Sequence, residues 1–339
     1  MPTRPSPICW PKLEFPFESR TPTLNPWEQS AALAMLKSYA SPMNTPRPQI
    51  PRIYANPASG LLLEYADRWY DLSAWASAAG HPSHLLELIT SGLLHRDQFA
   101  DSLPGSGSSD WIEVPTPDLD RWDPPLSRPE VGKVLCLGKN FAAHAAEFGE
   151  QVPTEPLWFG KLPDTIVGHG AKVTVRPWYT DRVDHEAEVA LVISKQGSDL
   201  TLENAMEYVG GWMVANDLTA RSMQGDHRKL GHPWMPAKNM DGFLPLGPCL
   251  VPAGFIDPHD LRVTCQVGTE LRQDASTQDL VVRVEPALVA LSKHLTLYPG
   301  DIVLMGTPEG VGPLQDGDQV VCDVDQIGAL STRILRPKS

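Results

Sequence analysis

The strongest pattern in the chain is an alternation that begins at Glu186. The run Glu186-Ala187-Glu188-Val189-Ala190-Leu191-Val192-Ile193 fits a period of two and turns apolar and β-branched after Glu188, which predicts a strand. Residues two apart on a strand share a face and lie about 6–7 Å from one another. Glu186 and Glu188 therefore project together, Ala190 and Val192 continue their face, and His185 points the other way. A second run, Val209 to Ala215, ends in Asn216-Asp217. Further strands are predicted at 133–137, 262–267, 301–305, 319–324 and 329–335, with Gly-Asp turns at Gly300-Asp301 and Gly317-Asp318. Nearer the start, 51–54 and 61–65 read as strands, and 68–72 follows a turn. Helical spacing is found at 83–94, at 140–148, at 201–208 behind a Thr201 cap, and from Pro286 through Leu288, Leu291 and Leu295. Many strands and few short helices predict a β-rich α+β fold, not a doubly wound sheet.

Proline sets the larger divisions. Residues 1–48 form a Pro-rich arm with one helix predicted at 27–39; residues 49–100 form a small α/β module; 101–130 is a second Pro-rich linker; and 131–337 is the dense, patterned domain. The 339 residues are enough for about two domains and a substantial core. A net charge of -13 argues against nucleic acid, whose phosphates need a basic surface. Five scattered cysteines without a C-x-x-C give no disulfide framework and suit a reducing cytoplasm. No apolar run is long enough to span a membrane, and the start lacks a signal-peptide core.

Charge makes the first pattern chemical. Two like charges on an apolar face repel and are costly to bury unless something neutralises them. A hard divalent cation would do so. Glu186, Glu188 and Asp217, with no cysteine among them, suit Mg²⁺ or Mn²⁺, with Ca²⁺ also compatible, better than Zn²⁺. His227 and His232 have no third partner and make a poor zinc site.

Five segments, in order, carry a resemblance. They are Gly138-Lys139-Asn140-Phe141-Ala142-Ala143-His144-Ala145-Ala146-Glu147, Trp158-Phe159-Gly160-Lys161-Leu162-Pro163, Asp184-His185-Glu186-Ala187-Glu188, Asn216-Asp217-Leu218-Thr219-Ala220-Arg221-Ser222-Met223-Gln224 followed by Ala237-Lys238-Asn239, and Pro299-Gly300-Asp301 with Gly306-Thr307-Pro308-Glu309-Gly310. Over roughly residues 131–335 the chain resembles the fumarylacetoacetate hydrolase family. The resemblance implies a mixed-sheet roll of that family's C-terminal type. It also implies metal ligation by Glu186, Glu188 and Asp217, and water activation by His144 with Glu147. Lys161 and Lys238 would face the substrate, and Arg221, Gln224 and Thr307 would bind or order it.

The reaction so implied is metal-dependent hydrolysis of a carbon–carbon bond in an acylpyruvate or β-diketo acid, through an enolate that the metal stabilises. The partners would be a small 2-oxo or β-diketo acid and a second copy in a homodimer. Decarboxylation of oxaloacetate and keto–enol isomerisation are alternatives at the same site. The segment Leu230-Gly231-His232-Pro233-Trp234 is similar to acylpyruvate hydrolases that also decarboxylate oxaloacetate. A catalytically idle binding protein is a third reading, disfavoured because the polar site positions are all present. The chain departs from the family pattern at Ala143, where Asp is frequent before the histidine, and at Ser331 and Gly268.

Overall fold

A computed structural model describes residues 49–107, 110–179 and 181–337; the arm at 1–48, with its predicted helix at 27–39, lies outside them. The predicted strand is found as Ala187–Ile193, buried at every position. It pairs antiparallel with Val209–Asn216 on one side and with Ile302–Leu304 on the other. Ile302–Leu304 in turn lies parallel to Val134–Gly138, which makes the sheet mixed. Among the described residues this sheet has eleven strands, and it continues through Leu244–Pro252 into Arg52–Asn56, Gly60–Tyr65 and Arg68–Asp71. A five-stranded sheet, ordered Glu270–Ser276, Arg262–Val267, Gln319–Val324, Gly328–Leu335 and Ala171–Thr174, packs across its centre.

Period two explains why the central strand is buried on both faces. Val189, Leu191 and Ile193 join one core cluster with Trp212 of the neighbouring strand and with Cys265, Cys322 and Val324 of the facing sheet. Ala190 and Val192 join another with Met213, Leu246, Leu304 and the helix residue Leu88. Each such large aliphatic side chain contributes about 1.5–3 kcal/mol by leaving water. Glu186 and Glu188 sit on the Ala190 face, where that second cluster ends. A one-residue slip would turn both carboxylates into the other core, so the register is tightly held.

The helices are few and short, as the α+β reading requires. Leu85–Thr90 lies within the predicted 83–94, Ala142–Glu147 within 140–148, and Val284–Ser292 starts just before Pro286 and ends short of Leu295. The predicted helix at 201–208 is not formed; only a 3₁₀ turn, Ala205–Tyr208, is present. The Asn204 side chain accepts the Thr201 N–H at 2.9 Å at the start of this segment. The helix Leu72–Ala78 was not predicted, although Asp71 caps it by accepting the Ala74 N–H at 2.8 Å. No helix among the described residues is long and apolar enough to cross a membrane.

Candidate active site

The Ala187–Ile193 and Val209–Asn216 strands bring the three carboxylates together through their register. Ala187 lies opposite Asn216. One residue further out, the Asp217 N–H donates to the Glu186 carbonyl at 2.8 Å, and the Glu186 N–H donates to Asn216 Oδ1 at 3.0 Å. Glu186, Glu188 and Asp217 are 4 %, 2 % and 0 % exposed, and one oxygen from each lies within 4.8 Å of the others. Three carboxylates cannot share so small a buried volume without cations.

Two lysines and an arginine supply some of that charge. Lys238 Nζ donates to Glu186 Oε2 at 2.7 Å and to Asp217 Oδ2 at 2.6 Å. Arg221 pairs with Glu186, and donates to Asp184 Oδ2 at 2.8 Å and to Gln224 Oε1 at 2.7 Å. Lys161 Nζ forms an ion pair with Asp217 Oδ1 at 2.7 Å, and both side chains are fully buried. Glu188 has no cationic partner among the described residues; its Oε2 accepts only the Gly306 N–H, at 2.6 Å.

The titration of these groups follows from that division. Burial pushes Glu186 up, but Lys238, Arg221 and His144 outweigh it and hold the carboxyl well below its usual range. Burial pulls Lys238 down, and Asp217 and Glu186 reverse that and raise it. Glu188 is raised well above the usual carboxylate range, by burial first and then by Asp217 and Glu186. A buried carboxyl raised by its own acidic neighbours, with no cation paired to it among the described residues, is the charge pattern a hard divalent cation would correct. Glu186, Glu188 and Asp217 therefore fit a divalent metal.

Gly306 makes the contact to Glu188 feasible. Its φ is +92°, and a Cβ there would come within 2.8 Å of Asn140 Cβ. Asn140 in turn ties this turn down, donating to the Met305 and Val282 carbonyls at 2.8 and 2.9 Å. Thr307 follows, buried, accepting from Gln273 Nε2 at 2.8 Å.

The carboxylates open into a small cleft of about 190 Å³. His144, Gln224, Arg221, Lys238 and Thr307 line it, with Phe148, Phe159 and Trp234 as apolar walls. His144, on Ala142–Glu147, is buried, and its Nδ1 lies 3.2 Å from Glu147 Oε2. The other Glu147 oxygen accepts the Gly310 N–H at 3.3 Å. Burial and the Arg221 charge pull His144 below its ordinary value, against Glu186 and Glu147. Ala143 is exposed, so the departure at that position leaves the His144–Glu147 contact intact.

Of the residues expected from sequence, Lys161 stands apart. Its ammonium is fully buried behind Asp217, donating to the Lys238 and Leu218 carbonyls, and it does not line the cleft. It braces the floor through Asp217. Gln273 lies on the Glu270–Ser276 strand of the facing sheet. It is 1 % exposed, and its Oε1 accepts the Ala187 N–H at 3.1 Å while its Nε2 reaches Thr307 and the Pro308 carbonyl. Lys139, Glu150 and Arg228, also on the cleft wall, gave no signal in the sequence beyond their charge.

Comparison with known proteins agrees with this arrangement. The family model for the fumarylacetoacetate hydrolase C-terminal domain matches residues 133–335. The chain is 40 % identical over 219 residues to the mitochondrial oxaloacetate tautomerase of Xenopus laevis, covering 62 % of this chain and 67 % of that protein. It is similar in structure to a fumarylacetoacetate hydrolase from Exiguobacterium antarcticum, with TM-score 0.71 and 30 % identity over 85 % of this chain and all of that one. It is also similar to a fumarylpyruvate hydrolase from Pseudomonas aeruginosa solved with Mn²⁺ and pyruvate, with TM-score 0.59 and 33 % identity over 67 % of this chain and all of that one. A match over most of the patterned region, joined to the β-rich fold and the acidic floor of the cleft, places the chain in the fumarylacetoacetate hydrolase family.

Proposed function

We propose that this protein is a divalent-metal-dependent hydrolase that cleaves a carbon–carbon bond in an acylpyruvate or related β-diketo acid. The observation that carries this reading is the buried group Glu186, Glu188 and Asp217 at the base of a cleft that also holds a His144–Glu147 pair. Those three carboxylates would hold Mg²⁺ or Mn²⁺. The bound ion would supply a Lewis acid to the carboxylate and keto oxygens of a 2-oxo acid. The similarity to a fumarylpyruvate hydrolase holding Mn²⁺ and pyruvate supports the same choice of ligand.

The chain's own groups then divide the work. Glu147 accepts from the His144 Nδ1–H and leaves Nε2 free to take a proton. His144 removes that proton from a water, whose oxygen adds to the distal carbonyl of the substrate. The carbon–carbon bond breaks, its electron pair leaves as the enolate of pyruvate, and the imidazolium returns the proton. Lys238 places a full positive charge at this end of the cleft, and preorganised charge of this kind is worth about 3–4 kcal/mol per donor removed. Arg221 and Gln224 line the same wall, and their mutual hydrogen bond fixes the guanidinium for a substrate carboxylate.

A second reading has one specific observation behind it, the 40 % identity to an oxaloacetate tautomerase. Keto–enol interconversion needs only that His144 carry a proton between carbon and oxygen, with no water consumed. A screen of acetylpyruvate, fumarylpyruvate, fumarylacetoacetate and oxaloacetate, with Mg²⁺ or Mn²⁺ and with EDTA, separates the readings. Hydrolysis gives pyruvate or acetoacetate plus an acid, read by mass; tautomerisation changes the enol absorbance and leaves the mass unaltered. Turnover of acylpyruvates that persists in EDTA would overturn the metal assignment.

A further inference from the structure

The cleft has a second charged end that the proposed chemistry does not use. At its mouth, Glu150 pairs with both Lys139 and Arg228, all three on the cleft wall. Two cations thus share one carboxylate, which leaves the mouth with an excess of positive charge. The cations also act on one another: burial, and then the Arg228 charge, lower Lys139. Lys139 has a φ of +56°, a left-handed conformation that favours Gly or Asn. The turn from the Val134–Gly138 strand to the Ala142–Glu147 helix therefore carries a lysine against its backbone preference. Phe148, Phe159 and Trp234 line the same cleft, with Phe159 against Lys238 and Phe148 against Arg221. A ligand matched to this cleft has an anionic group at each end and a flat or apolar middle.

We infer that Lys139 and Arg228 form an anion subsite for the distal carboxylate of a 2-oxo diacid, and that Glu150 is its internal stand-in, displaced when the diacid enters. The inference rests on the proposed binding of a 2-oxo acid at Glu186, Glu188 and Asp217. Guanidinium and ammonium groups bind carboxylates through charge-assisted hydrogen bonds, and Glu150 already demonstrates that the pair accepts one. A neutral acyl tail offers nothing to replace Glu150, so the subsite selects for diacids by charge.

Equilibrium binding to the full chain with Mn²⁺ tests this. The probes are oxaloacetate, 2-oxoglutarate and 2-oxoadipate, each against the 2-oxo monoacid of equal length. At least one diacid is expected to bind about tenfold tighter than its monoacid. Arg228→Gln and Lys139→Met should each bring that ratio towards one. Glu150→Gln, which frees both cations, should raise it, a gain that damage to the fold would not produce. A ratio near one in the native protein, or one that none of the three variants moves, overturns the subsite. If the monoacids themselves fail to bind in a Mn²⁺-dependent manner, the reading of the floor is what has failed, and the subsite falls with it.

Discussion

The floor and the mouth of the cleft are built by different physics. The floor stands on strands buried on both faces, and its carboxylates are set by ladder register and by backbone donors such as the Gly306 N–H. The mouth stands on short segments. The helix Arg221–Lys229 has no buried side chain, and Arg221 and Arg228 anchor it through ion pairs with Asp184, Glu186 and Glu150. Buried contacts resist local opening, whereas a helix held by polar side chains opens at low cost. The difference assigns the invariant part of the chemistry to the sheet and the choice of substrate to the mouth. It also predicts that substitutions on the floor change whether the protein reacts, and those at the mouth change with what.

The largest effect belongs to Asp217. Asp217→Ala should abolish metal-dependent turnover, a loss of about 10³-fold or more, because it removes a ligand and the charge that orients Lys161 and Lys238. It also strips a carboxylate from two buried lysines, which costs about 3–5 kcal/mol of stability. A thermal melt should show that loss, and Asp217→Asn, which keeps the volume, separates stability from activity. Turnover that survives Asp217→Asn would break the distinction between floor and mouth.

His144 comes next. His144→Ala should cut hydrolysis by about 10²–10⁴-fold while sparing decarboxylation of oxaloacetate, which needs no attacking water. The pH profile sharpens the assignment. A general base works when neutral, so kcat/KM should rise with pH through the His144 pKa and then level. Burial holds that pKa below its ordinary 6.5, so the acid limb should have its midpoint below 6.5. The Glu147 charge raises His144, so Glu147→Gln should move the limb to still lower pH as the rate falls. A midpoint above 6.5 would remove His144 from this role.

How much of this was legible in the sequence depends on whether a residue belongs to a period. Glu186 and Glu188 lie on a strict alternation, and Asp217 ends a second apolar run, so the composition of the floor could be read from the chain. His144 and Glu147 are three apart, the spacing of neighbours on one helical turn. The helix Arg221–Lys229 escaped because a helix without a buried side chain has no apolar period to detect. Lys139, Glu150 and Arg228 escaped because only the folded chain brings them together. Lys161 was expected from the resemblance to face the substrate; the fold buries its ammonium against Asp217. At 201–208 the Thr201 cap suggested helix, and only the 3₁₀ turn Ala205–Tyr208 is formed.

Gln273 offers the finest test of the floor. It comes from the five-stranded sheet and reaches under the carboxylates, joining the Ala187 N–H, between Glu186 and Glu188, to Thr307 and to the Pro308 carbonyl. It touches neither the oxygens of Glu186, Glu188 and Asp217 nor the open cleft, so its effect should be positional. Loss of a buttress to metal ligands costs about 10–100-fold in metal affinity or activity. Gln273→Leu, close in volume, leaves the Ala187 N–H and the Thr307 hydroxyl without their partner. Mn²⁺ affinity should then fall by that factor, while excess Mn²⁺ restores most of the rate. Gln273→Glu keeps the acceptor toward the Ala187 N–H and loses the donor to Thr307, so it should retain metal affinity better than Gln273→Leu. If both variants bind Mn²⁺ as the native protein does, the carboxylates are held by their own sheet alone, and the facing sheet contributes packing but no positioning.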